Sequence, residues 1–93
     1  MLTKEHVPAN STIPTDRLVL IASGRGERLW GVGLYRGLVY RGNQGHWRWF
    51  VSRVLQDWRN AKTRIRRGTK PTLKAAQKEC LDHLAEVAGI VIQ

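Results

Sequence analysis

Pro71-Thr72-Leu73-Lys74-Ala75-Ala76-Gln77-Lys78-Glu79-Cys80-Leu81-Asp82-His83-Leu84-Ala85-Glu86-Val87-Ala88-Gly89 reads as one helix with both of its ends marked. Leu73, Ala76, Cys80, Leu84 and Val87 recur at spacings of three and four and form one apolar stripe, widened by Leu81. Lys74, Lys78, Asp82 and Glu86 fall mainly on the other side. Thr72 is the expected N-cap, because its hydroxyl can accept from a free amide of the first turn. Gly89 is the expected left-handed C-cap, after which Ile90, Val91 and Ile92 can dock against a sheet.

Everything upstream of that helix reads with a period of two or as turns. The aromatic stretch His46-Trp47-Arg48-Trp49-Phe50-Val51-Ser52-Arg53-Val54-Leu55 puts Trp47, Trp49 and Val51 on one face and Arg48, Phe50 and Ser52 on the other. Ala61 to Arg67 supplies a last strand, with Ile65 pointing inward between Arg64 and Arg66 and Gly68 closing it. A short helix through Val54 to Ala61 competes, since Val54, Leu55 and Trp58 also fit a helical pattern.

Before the aromatic strand, Leu18 to Ala22 is short, apolar and rich in β-branched residues, and it ends in Ser23-Gly24-Arg25-Gly26. Arg28 to Tyr35 alternates, with Gly31 and Gly33 on one face as a bare patch where a helix can approach closely. Arg36-Gly37 separates it from Leu38-Val39-Tyr40-Arg41, and Gly42-Asn43-Gln44-Gly45 is turn chemistry. The fold class expected is therefore α+β: an antiparallel sheet of three to five strands with one C-terminal helix packed across one face. Residues 1–15, with Pro8 and Pro14 and no periodicity, are expected to form an N-terminal arm, and residues 16–93 a single domain.

Ninety-three residues allow one modest core. With 42% hydrophobic and 25% charged residues the chain has a globular composition, which argues against a disordered basic tail. Sixteen Lys and Arg against seven Asp and Glu give a formal charge of +9. That is more self-repulsion than solubility requires, and an anionic partner is its simplest explanation. Met1 to Ser11 lacks the apolar run of a secretory signal, Cys80 has no second cysteine to pair with, and no stretch is apolar for long enough to cross a membrane. The expectation is a cytoplasmic protein with no membrane attachment.

Chemistry of the catalytic kind finds little support. Glu5, Asp16, Glu27 and Asp57 are isolated in sequence, and the helix acids have lysines within reach. His6, His46 and His83 lack metal-ligand spacing, and neither Gly24-Arg25-Gly26 nor Gly31-Val32-Gly33 completes a dinucleotide fingerprint. A non-enzymatic protein with no cofactor is expected.

Binding is better supported. Trp58 to Lys70 holds Arg59, Lys62, Arg64, Arg66, Arg67 and Lys70 with no acid among them, and Lys74 continues the run onto the helix. If Arg64 and Arg66 share a strand face, their side chains stand about 7 Å apart, close to the spacing of successive phosphates on one strand. Arginine can also grip a phosphate or the edge of guanine through two hydrogen bonds. The plainer account of the cluster is an edge strand whose charge blocks aggregation, but that does not require six cations in thirteen residues. Trp47 and Trp49 are expected in the core. The aromatic residues interleave with Arg48, Arg53 and Arg59, and Trp58, beside Asp57 and Arg59, is the candidate for an exposed aromatic contact.

The stretch from Gly45 to Leu84, with Trp47-Arg48-Trp49 on a strand, a basic strand after it and Pro71-Thr72-Leu73-Lys74-Ala75-Ala76 opening the helix, resembles the arm-type or AP2-like DNA-binding domains of integrases. The resemblance implies a three-stranded sheet set into the DNA major groove and braced by one helix, with Arg64, Arg66 and Arg67 as base or phosphate contacts and Arg48 and Arg53 beside them. The chain departs from that pattern in its additional N-terminal strand. The rival class is a small mobile-element inhibitor, such as an anti-CRISPR or other anti-defence protein. Its Arg cluster would meet an acidic or nucleic-acid-binding surface of a protein partner, with Trp58 or Tyr40 as the aromatic anchor.

Overall fold

A computed structural model describes residues 17–53 and 64–90. The N-terminal arm, the competing helix over 54–61, Trp58, Arg59, Lys62 and the tail from Val91 lie outside the described residues. Within them the chain is a five-stranded antiparallel sheet and one helix, as the two sequence periods require. The strands are β1 (Val19–Gly24), β2 (Glu27–Val32), β3 (Tyr35–Arg41), β4 (Trp47–Arg53) and β5 (Arg64–Lys70), in that spatial order, and α1 spans Leu73–Ala88. A one-turn 3-10 segment, Asn43–Gly45, joins β3 to β4.

Both helix ends follow their sequence signals. Thr72 Oγ1 accepts from the Ala75 amide at 3.2 Å, and Gly89 takes φ 75°. The apolar stripe meets one face of the sheet, where Ala76, Cys80 and Leu84 pack with Leu20, Trp30, Val32, Val39, Trp49 and Val51. Burying a side chain such as Leu84 stabilises by about 1.5–3 kcal/mol. The other face carries a second buried cluster of Val19, Ile21, Leu29, Leu38 and Phe50, so β1 to β3 are apolar on both sides.

Three local expectations are corrected. The β2–β3 hairpin turns at Gly33-Leu34, not at Arg36-Gly37, because Gly33 reaches φ 57° and opens a two-residue loop. Gly33 is thus a turn residue, and the close approach of the helix falls instead at Gly37, where a Cβ would lie 2.9 Å from Cys80 Sγ. Gly68 does not end β5. It lies within the strand opposite Trp49, where a Cβ would stand 2.6 Å from the indole nitrogen, so the missing side chain is what admits the Trp49 ring.

Burial also fixes two groups of opposite character. The Cys80 thiol is pushed up from 9.0 to about 12 by loss of solvent. Arg36, fully buried, donates from Nη1 to the carbonyls of Gly33 (3.0 Å) and Tyr35 (2.9 Å), and so closes the hairpin turn. Burial lowers its pKa as well, from a value so high that the guanidinium keeps its charge.

Candidate functional site

The alternation of β4 decides which side chains meet the helix and which meet the open side. Trp47, Trp49 and Val51 turn toward α1, while Arg48, Phe50 and Ser52 turn away from it. On β5 a regular alternation would keep Arg64 and Arg66 together. The register instead pairs Val51 with Arg66 and Ser52 with Arg64, which leaves Ile65 as the extra residue of a bulge. Arg64 and Arg66 therefore lie on opposite faces. Ile65, expected inside, is 45% exposed.

On the helix side the cations are engaged. Arg66 Nη1 lies 3.0 Å from Glu86 Oε1 and donates to His83 Nδ1 at 3.0 Å, which makes that ring nitrogen the acceptor. The His83 ring stacks on Trp49 with centroids 4.8 Å apart. Trp49 Nε1 donates to Glu79 Oε2 at 2.8 Å, and Lys70 Nζ stands 3.8 Å from the other oxygen of that carboxylate. Two of the predicted contacts, Arg66 and Lys70, are thus spent on joining β5 to α1. Arg28 does the same from β2, donating to Gln77 at 2.8 Å.

On the outer side, Arg48, Arg64 and Arg67 line one groove of about 410 Å³ together with Tyr40, Trp49, Gly68 and Thr69. Arg48 is the register partner of Thr69, and Phe50 that of Arg67. Arg48 and Arg67 are therefore diagonal neighbours, about 7–8 Å apart at their backbones. Gly42 leaves room for the Arg48 stem, since a Cβ there would come within 3.0 Å of its Nε. The Arg64 guanidinium sits 4.3 Å above the Phe50 ring, and Tyr40 meets the same ring edge-on at 6.1 Å. A cation over an aromatic face gains about 0.5–2 kcal/mol and is held in orientation. Arg64 Nε is buried with no hydrogen-bond partner among the described residues.

No carboxylate lines this groove among the described residues. Glu27 borders a smaller neighbouring cavity with Leu38, Tyr40, Phe50 and Arg64. Like charges gathered on one groove repel, and a bound anion reverses the sign of that cost. Arg48 and Arg67 are exposed and have no hydrogen bond or ion pair among the described residues.

No protein family, no curated protein and no solved structure matches this chain. The site rests on its own geometry.

Of the ten residues singled out by sequence, the structure gathers Arg48, Arg64 and Arg67 into the groove. It turns Arg66 and Lys70 toward the helix and leaves Arg53, at the end of β4, in register with the helix-facing residues. Lys74 is exposed in the first turn of α1, away from the groove lining. Trp58, Arg59 and Lys62 lie outside the described residues. Trp49 is core, as expected, at 2% exposed, whereas Trp47 is only half-buried and packs against the helix-side cluster. Thr69 was missed, because ending the strand at Gly68 removes it from the sheet. Continuing the alternation by two residues would have placed it opposite Arg48.

Proposed function

We propose that this protein is a non-enzymatic binding module that holds nucleic acid, DNA before RNA, against the outer face of β4 and β5. The observation that carries the reading is three arginines converging on one groove with no carboxylate in its lining among the described residues. Phosphates are the natural counter-charge, since guanidinium forks match their oxygens. The preference for DNA rests on the resemblance of the Gly45–Leu84 stretch to integrase arm-type domains. The contacts are fewer than the whole basic run suggests, because Arg66 and Lys70 already have carboxylate partners.

The test is a fluorescence-polarisation titration with duplex DNA, single-stranded DNA and structured RNA at two salt concentrations. Three phosphate contacts predict an affinity loss of about 20- to 40-fold between 50 and 200 mM salt. Weak binding that ignores both salt and nucleic-acid form contradicts the proposal and favours docking on an acidic surface of a protein partner.

A further inference from the structure

Resting on that reading, we infer that the groove takes the end of a nucleic-acid strand: a terminal phosphomonoester is its preferred ligand, ahead of the internal phosphodiesters. The first reason is convergence. Arg48, Arg64 and Arg67 do not run along a track; they line one cavity, with Thr69 and the Tyr40 phenol beside them. A phosphodiester brings one negative charge to such a site, whereas a monoester brings about 1.5 to 2 at neutral pH and three free oxygens. The concentrated anion suits concentrated cations.

The second reason is what lines the groove. Sequence-tolerant binding along a single strand uses exposed aromatic faces on which bases stack. Here Trp30 and Trp49 are buried on the helix side and Trp47 packs against the same cluster, while the Phe50 ring is 2% exposed beneath the Arg64 guanidinium. Tyr40 turns its own ring against Phe50. Among the described residues the groove presents cation forks and hydroxyls, which suit phosphate oxygens.

The third reason is placement and readiness. Among the described strands β5 lies at the edge, so the groove opens at the rim of that sheet, where a strand end can enter without continuing across the whole face. Arg64 is oriented by Phe50 before any ligand arrives, and its buried Nε has no acceptor among the described residues. A guanidinium desolvated on one edge gains more from an anion at its other edge than a fully hydrated one does.

The experiment compares one oligonucleotide in three forms, 5′-phosphorylated, 3′-phosphorylated and unphosphorylated, by competition against a labelled strand with the full chain. The expected result is that a phosphorylated form binds at least about tenfold tighter than the unphosphorylated one, a difference of about 1.4 kcal/mol. Arg48→Gln with Arg67→Gln, both exposed and without a partner among the described residues, should erase that preference while leaving the melting temperature nearly unchanged. Equal affinity of all three forms overturns the end-recognition inference and leaves nucleic-acid binding standing. No binding of any form overturns both. A nucleoside monophosphate that competes as well as the phosphorylated strand overturns the strand end as the source of the phosphate.

Discussion

The two faces of β5 carry the same kind of residue and use it in opposite ways. On the helix side, Arg66 and Lys70 reach carboxylates of α1 at 3.0 and 3.8 Å. On the outer side, Arg64 and Arg67 face a groove whose described lining contains no acid. One extra residue in the strand, Ile65, sends Arg64 to the second side and Arg66 to the first. Charge counted along the sequence is therefore a poor measure of charge offered to a partner. Sidedness decides which arginines hold the fold and which are free to hold a ligand.

The largest effect that would sharpen this contrast is on the inner side. Leu84→Ala should cost about 2–5 kcal/mol of stability by emptying the space between Cys80, Gly37 and the sheet, measured by urea denaturation. Nucleic-acid affinity per folded molecule should not change. Next comes the outer side: Arg48→Ala with Arg67→Ala should weaken oligonucleotide binding at least about tenfold and make the salt slope shallower by about 2. Its stability should stay within about 0.5 kcal/mol of the parent, as for surface positions generally.

A smaller effect depends on pH. The Cys80 thiol is held up at about 12 by burial, so the unfolded chain releases this proton more readily than the folded one. Its contribution to stability is complete below pH 9 and falls as the pH rises from 9 toward 12. Cys80→Ala should remove that component of the alkaline decline, read as melting temperature against pH. The smallest effect is Glu86→Gln. The pair it breaks is well exposed, so the change should cost no more than about 1 kcal/mol and leave binding as it was. A gain in affinity on releasing Arg66 would break the division between the faces.

Much of the fold is legible in the sequence because periodicity reports burial directly. The stripe Leu73, Ala76, Cys80, Leu84 and Val87 and the caps Thr72 and Gly89 specify α1, and the alternation at Trp47, Trp49 and Val51 specifies which side of β4 it covers. The hairpin at Gly33-Leu34 was harder to see. Leu34 continues an apolar alternation that only the left-handed backbone of Gly33 interrupts.

The site was legible in composition and not in geometry. Nothing in Arg64-Ile65-Arg66 distinguishes a bulge from a regular strand, since an exposed isoleucine and an inward one are the same letter. The carboxylates that neutralise Arg66 and Lys70, Glu86 and Glu79, lie twenty and nine residues farther on, beyond what a reading of β5 alone can pair. The Lys78–Asp82 contact at 2.9 Å, by contrast, follows from spacing on one helix.

The most direct measurement is the affinity of Arg67→Ala and of Arg66→Ala for the same oligonucleotide at the same salt. The division between faces predicts that Arg67→Ala binds more weakly than the parent while Arg66→Ala binds as the parent does, though slightly less stable. Equal losses in the two variants, or a loss in Arg66→Ala alone, would contradict it.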